Sequence, residues 1–291
     1  MPVPIPQLPG VEHCFVELPS GRIHVAEAGE GEPIVLLHGW PQHWWSWRHH
    51  IGPLAQSRRV ICPDLRGLGW SEDRSGDFSK DALADDVLAV LDELGHDRVA
   101  LVGHDWGAFV GFLLTLRVPE RFSGFVALSM PHPWVRRDLS PALVLQLAQL
   151  WYQVVMASPV LGPSLVRSGR FPAGVLKGAR AQGRWTDEEL ATYVDVLAEP
   201  EGVRASQAYY RTFLLRELPG LIAGRLSRQH LSVPTRLLVG GEDQIAKYID
   251  LSGHEDHTDD MRVERVPGAG HFLPEERTEL VLERIREFLL A

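Results

Sequence analysis

The stretch that most constrains the fold is Val99-Ala100-Leu101-Val102, followed by Gly103-His104-Asp105-Trp106-Gly107 and then Ala108-Phe109-Val110-Gly111-Phe112-Leu113-Leu114. The first run is short and wholly apolar, as in a buried strand; the last reads as a helix. Between them two glycines bracket a sharp strand-to-helix turn, the form of a nucleophile elbow with a reactive side chain at its tip. The tip commonly carries Ser; here it is Asp105. A carboxylate attacking a carbonyl would form an anhydride, a poor route to ester hydrolysis. It suits displacement at a saturated carbon, because water can then cleave the alkyl ester at the carbonyl of Asp105 itself. The tip residue therefore predicts an epoxide or an alkyl halide as electrophile. The plainer alternative is an Asp that caps the helix after it.

The first 130 residues alternate strand and helix. Strands are expected at 12–18, 21–28, 33–37, 59–63, 99–102 and 122–129, with helices at 45–55 and 80–94 and another following Asp105. Leu83, Val87, Leu88, Val90, Leu91 and Leu94 form the apolar stripe of the second helix, and Gly95 stops it. This pattern predicts an α/β fold with a mostly parallel central sheet flanked by helices. After Met130-Pro131-His132-Pro133-Trp134 the strands cease. Helices are expected at 139–158, with Ser140 and Pro141 at its start, at 186–198, with a Thr186/Glu189 capping box, and at 203–217. Strands resume at 234–240 and 261–266, and a helix at 275–290 closes the chain. The expected organisation is a core of residues 1–131 and 231–291 with an all-helical insertion, 132–230, over the carboxyl edge of the sheet, where open α/β sheets bind ligands.

A covalent ester needs a base to activate water. Among thirteen histidines, His271 stands out in the glycine loop Pro267-Gly268-Ala269-Gly270-His271-Phe272-Leu273-Pro274, after the last strand. Imidazole titrates near neutrality, which suits a general base. An acid after the penultimate strand would orient it; Asp243 is the choice in Gly240-Gly241-Glu242-Asp243, with Glu242 the alternative. The oxyanion would be held by the backbone N–H groups of Trp106 and of Trp40, in the turn His38-Gly39-Trp40-Pro41. An epoxide oxygen leaves as an alkoxide and needs a proton donor. The insertion offers Tyr152, Tyr193, Tyr209 and Tyr210, and their residues alone do not separate a donor from a buried structural phenol. In the loop Asp64 to Ser71, Asp64 and Arg66 are expected as a loop-bracing pair rather than as catalytic residues. Trp44, Trp45 and Trp47 are expected in the core and the pocket lining.

Formal net charge is −9 with no concentrated basic tract, which argues against nucleic acid and anionic membrane surfaces as partners. Two cysteines provide neither a disulfide framework nor a zinc site. His254-Glu255-Asp256-His257 lacks the gap of a His-Glu-x-x-His helix and reads as a solvated loop. No metal or organic cofactor is expected. With four prolines in its first ten residues, no basic-then-apolar leader pattern and no membrane-length apolar run, the chain is expected to be cytoplasmic, as a monomer or homodimer.

Taken together, Gly103 to Gly107, the His38 to Pro41 turn, the Asp64 to Ser71 loop and the Gly268 to Pro274 loop resemble the epoxide hydrolases of the α/β-hydrolase superfamily, over nearly the whole chain. The resemblance implies an α/β-hydrolase fold with a helical cap and the conversion of an apolar epoxide, with water, to a vicinal diol. It also implies two cap tyrosines: Tyr152-Gln153 followed by Pro159 matches one segment, and Tyr210-Arg211 matches the other. By that match Tyr152 and Tyr210 would activate the epoxide, with Trp40 and Trp106 beside the substrate. Tyr209 would point elsewhere, since helical neighbours lie about 100° apart. Haloalkane dehalogenases share an Asp nucleophile, and Trp106 resembles their first halide-binding indole, but they commonly place Asn where Trp40 stands. Fluoroacetate dehalogenases carry Arg where Trp106 stands. A non-catalytic ligand-binding protein on the same fold is the alternative from another class.

Overall fold

A computed structural model describes residues 3–135, 151–180, 185–247 and 249–290. Strands β1 (Glu12–Leu18), β2 (Gly21–Ala28), β3 (Pro33–Leu37), β4 (Arg59–Pro63), β5 (Val99–His104), β6 (Phe122–Leu128), β7 (Thr235–Gly240) and β8 (Met261–Val266) form one sheet in the order β1-β2-β4-β3-β5-β6-β7-β8. The β1–β2 and β2–β4 pairs are antiparallel; every pair from β4 to β8 is parallel. Side chains alternate between the two faces, as the strand period of two requires. Val35 and Leu37 enter one core layer, with α2 (Lys80–Glu93) and α3 (Trp106–Arg117), while Ile34 and Leu36 enter the other, with α1 (Arg48–Ala55) and the carboxyl-terminal helix. Each strand from β3 to β5 is therefore apolar on both faces, which is why its sequence runs without polar interruption.

Placing β3 beside β5 brings the ends of these two strands together. The turn at Gly39 lies so close to the elbow that a Cβ there would overlap the Asp105 carboxylate, and a Cβ at Gly107 would overlap the Leu37 and His38 carbonyls. Only glycine admits this approach. His38 fixes the turn: its Nε2 accepts the Leu65 N–H (2.9 Å), which leaves Nδ1 to donate to the Gly39 carbonyl (3.0 Å).

Among the described residues the elements between β6 and β7 are helical: α4 (Trp151–Ala157), α5 (Leu161–Arg167), α6 (Arg170–Gly178), α7 (Asp187–Leu197) and α8 (Pro200–Thr212), a π-helical turn at Phe213–Glu217, and α9 (Leu218–Ile222). The Thr186/Glu189 capping box opens α7 as expected. Helices α5 and α6 lie between the expected helices 139–158 and 186–198, where no element is expected; Pro163 and Pro172 sit in their first turns, where the missing N–H costs little. The expected Ser140–Pro141 helix start lies outside the described residues. After β8 come α10 (Leu273–Glu276) and α11 (Thr278–Leu289).

Two local expectations are corrected. Asp64 braces the loop, accepting the Trp70 N–H (3.1 Å), but not as a pair with Arg66: it also accepts from His24 Nδ1 (2.7 Å) and the Trp44 N–H (2.8 Å), while Arg66 pairs with Asp86 on α2. Trp44 and Trp47 are in the core, as expected, fully buried on its α1 side, but they do not line the cavity described below. Among the described residues no group could hold a metal ion, and the His254 to His257 segment is a turn between strands. No helix among them is long and apolar enough to cross a membrane.

Candidate active site

Asp105 is one of two non-glycine residues at positive φ among the described residues (φ 52°, ψ −121°). Such a conformation is strained for a residue with a Cβ and persists where the surrounding structure fixes it. The side chain makes no capping bond to the second or third residue of α3, where a capping Asp would bond, so the helix-capping alternative has no support. Instead its Oδ2 accepts the Trp40 N–H at 2.9 Å, and the Trp106 N–H also bonds the carboxylate.

His271 follows β8, three strands away from β5 in the sheet. Its Nδ1 donates to Asp243 Oδ2 at 3.0 Å, and its Nε2 faces Asp105 Oδ1 at 3.5 Å. Asp243 is fully buried, and its other oxygen accepts the Ile245 N–H (2.8 Å). Glu242, the alternative acid, turns away to pair with Lys247 at the surface (2.6 Å). The His271 backbone is held from several sides. Its N–H donates to Ala179 O at the end of α6, its carbonyl accepts from His104 Nε2, and Glu276 accepts the N–H groups of Gly270 and Phe272 on either side.

The electrostatics of this trio follow from burial and pairing. Burial alone would lower the His271 pKa, but the two aspartates outweigh it and push it up to about 10. Burial likewise opposes ionisation of Asp105, yet its hydrogen bond to His271 and the imidazole's charge hold it below the ordinary carboxylate range. The resting site is thus an imidazolium between two carboxylates.

Trp40, Asp105, Tyr152, Tyr210, Asp243 and His271 line one cavity of about 360 Å³. The Tyr152 and Tyr210 rings meet edge to face at 5.8 Å. Desolvation pushes the Tyr152 phenol up to about 12 and raises Tyr210 well above its ordinary value, so both are proton-bearing near neutrality. Tyr209 points the other way, as the helix period requires: its OH donates to Arg66 O, 3.1 Å away in the core. Tyr193 is buried against Glu275. Sequence reasoning missed Arg170, Phe171 and Val175, which complete the cavity wall from α6; the Phe171/Val175 pair, one helical turn apart, is the signal that could have found them.

Of the two indoles expected beside substrate, Trp40 lines the cavity and Trp106 does not. Trp40 Nε1 is committed to Ser206 Oγ (2.9 Å). The Trp106 ring is not in the cavity wall; it lies behind Tyr210, edge to face at 5.9 Å.

The chain resembles known proteins over almost its whole length. Residues 32–278 match the family model for the alpha/beta hydrolase fold. The soluble epoxide hydrolase of Corynebacterium sp. (strain C12) is 30% identical over 286 residues, covering 96% of this chain and 97% of that one. The AB hydrolase superfamily protein YfhM of Bacillus subtilis is 29% identical over 96% of this chain and 98% of its own. The solved structure of epoxide hydrolase CorEH without ligand superimposes with a TM-score of 0.83 at 28% identity, covering 96% of this chain and 99% of that one. The chain belongs to the α/β-hydrolase fold family, as a hydrolase among its epoxide hydrolase relatives.

Proposed function

We propose that the protein hydrolyses an apolar epoxide to a vicinal diol through a covalent ester on Asp105, with residues 132–230 acting as a cap over the site. The observation that carries this reading is the shared cavity: a strained, N–H-held carboxylate with two un-ionised phenols beside it. Asp105 Oδ1 attacks an oxirane carbon, the carbon–oxygen bond breaks, and Tyr152 or Tyr210 protonates the departing alkoxide. Oδ2 stays against the Trp40 N–H and becomes the ester carbonyl.

Alkylation removes the Asp105 charge that helps hold His271 protonated. The imidazolium then releases its proton, which balances the one given up by the tyrosine. Neutral His271, oriented by Asp243, takes a proton from water as the water attacks the ester carbonyl. The oxyanion on Oδ2 is stabilised by the Trp40 and Trp106 N–H groups, a donor pair of the kind whose members are each worth ~3–4 kcal/mol. Collapse expels the diol and restores Asp105.

A halide leaving group would need free N–H donors from side chains in the wall. Trp40 Nε1 already bonds Ser206, and the Trp106 ring stands behind Tyr210, so the geometry favours an alkoxide. The test is a side-by-side assay with styrene oxide and a 1-haloalkane. Diol without halide supports the proposal; halide without diol moves the protein to the dehalogenases.

A further inference from the structure

Lys80 is fully buried at the first position of α2. A cation there faces the positive end of the helix dipole and loses its hydration, so its presence demands partners. They come from the helical segment across the sheet edge. Lys80 Nζ donates to the Tyr209 carbonyl (3.0 Å) and pairs with Glu217 Oε2 (3.0 Å), while Glu217 Oε1 accepts the Lys80 backbone N–H (2.6 Å). The ammonium also lies 4.4 Å from the centroid of the Trp106 ring. Glu217 ends the π-helical turn Phe213–Glu217, a geometry found disproportionately at functional sites. Tyr210 is the residue after Tyr209, and its ring packs against Trp106, whose own backbone N–H bonds Asp105.

We propose that Lys80 is a positioning residue for ring opening: its buried ammonium clamps the Tyr209 carbonyl, Glu217 and the Trp106 ring together and thereby aims Tyr210 at the epoxide oxygen. This inference rests on the covalent reading above and assigns Lys80 no contact with substrate. Hydrophobic packing alone would hold the two segments together without a buried charge, and a buried ion pair is weak evidence for stability as such. Three separate partners converge on one ammonium, and two of them, the Tyr209 carbonyl and the Trp106 ring, adjoin Tyr210, which gives the charge an orienting role.

The covalent route has two separable steps, and the clamp bears on the first. In a His271→Gln background with styrene oxide, adduct formation followed by intact mass reports ring opening. In His271-intact protein, single-turnover decay of the adduct reports ester hydrolysis. Lys80→Met should slow adduct formation roughly tenfold to a hundredfold, the scale of a misplacement of about 1 Å, and leave hydrolysis unchanged. Glu217→Gln, which keeps an oxygen for the Lys80 N–H, should slow it less. Lys80→Met/Glu217→Met removes both buried charges and guards against a folding defect from one unpaired charge; it too should be slow in ring opening alone. If the double variant melts like the parent and alkylates at the parent rate, or if both steps slow equally, the positioning role is overturned. If the His271→Gln protein with Lys80 intact forms no adduct, the covalent reading itself fails.

Discussion

Replacing Asp105 by Asn should bring the His271 pKa down from about 10 to near neutrality. Asn keeps the size of the carboxylate and removes its charge, as alkylation would. The two groups stand 3.5 Å apart in a buried site. With an effective dielectric of ~20, opposite charges at that separation attract by ~5 kcal/mol. At ~1.4 kcal/mol per tenfold change in proton affinity, losing that attraction lowers the imidazole by roughly 3.5, to about 6.5. Asp243 remains as orienting partner in both forms. The assay is a ¹H–¹⁵N titration of histidine side chains in protein labelled at histidine, with His271 assigned by its absence in His271→Gln. A His271 that stays charged above pH ~9 in Asp105→Asn would refute the reasoning, since its base could not be released by ester formation. So would a wild-type His271 that titrates near its ordinary value, because the two carboxylates would then not be acting on it.

Three further outcomes follow from the same geometry. Tyr210→Phe and Tyr152→Phe should each slow ring opening, and the double variant should lose roughly 10²-fold or more, the range of general acid catalysis, in single-turnover adduct formation. Gly39→Ala puts a methyl group onto the Asp105 carboxylate; adduct formation should fall by about 10²-fold, with intact mass as the readout. The stability that wild type holds over His271→Gln should be pH-dependent. A pKa raised on folding stabilises fully below the unfolded value of ~6.5 and loses that contribution as pH rises toward about 10, so urea midpoints of the two proteins should converge across that window.

Much of this arrangement was legible in sequence because it is local. The apolar runs that become β3, β5 and β7 are continuous because both faces are covered, and the elbow, the His38 to Pro41 turn and the His271 loop each follow a strand end. Strand order then gathers them, and Asp105, Asp243 and His271 meet without any one segment revealing the distances. What failed to show depends on partners far away in the chain. Asp64 and Arg66 read as a pair because they stand two residues apart in one loop, but their side-chain partners are His24 and Asp86, supplied by sheet and helix packing. Trp44 and Trp47 read as core and pocket lining; they are core, and the sheet face they occupy, away from the cavity, is a tertiary fact. Lys80 carries no local mark at all: only the fold brings Glu217 and the Tyr209 carbonyl to it.

The central claim is that Asp105, and not water, makes the first bond to the epoxide. A single turnover with enzyme in excess over styrene oxide in H₂¹⁸O tests it directly. Attack by Asp105 puts a carboxylate oxygen into the diol and leaves the solvent oxygen in the protein, so the first-turnover diol should carry no ¹⁸O and the Asp105 peptide should gain it. A first-turnover diol labelled with ¹⁸O, with an unlabelled Asp105 peptide, would mean direct attack by water and would contradict the account.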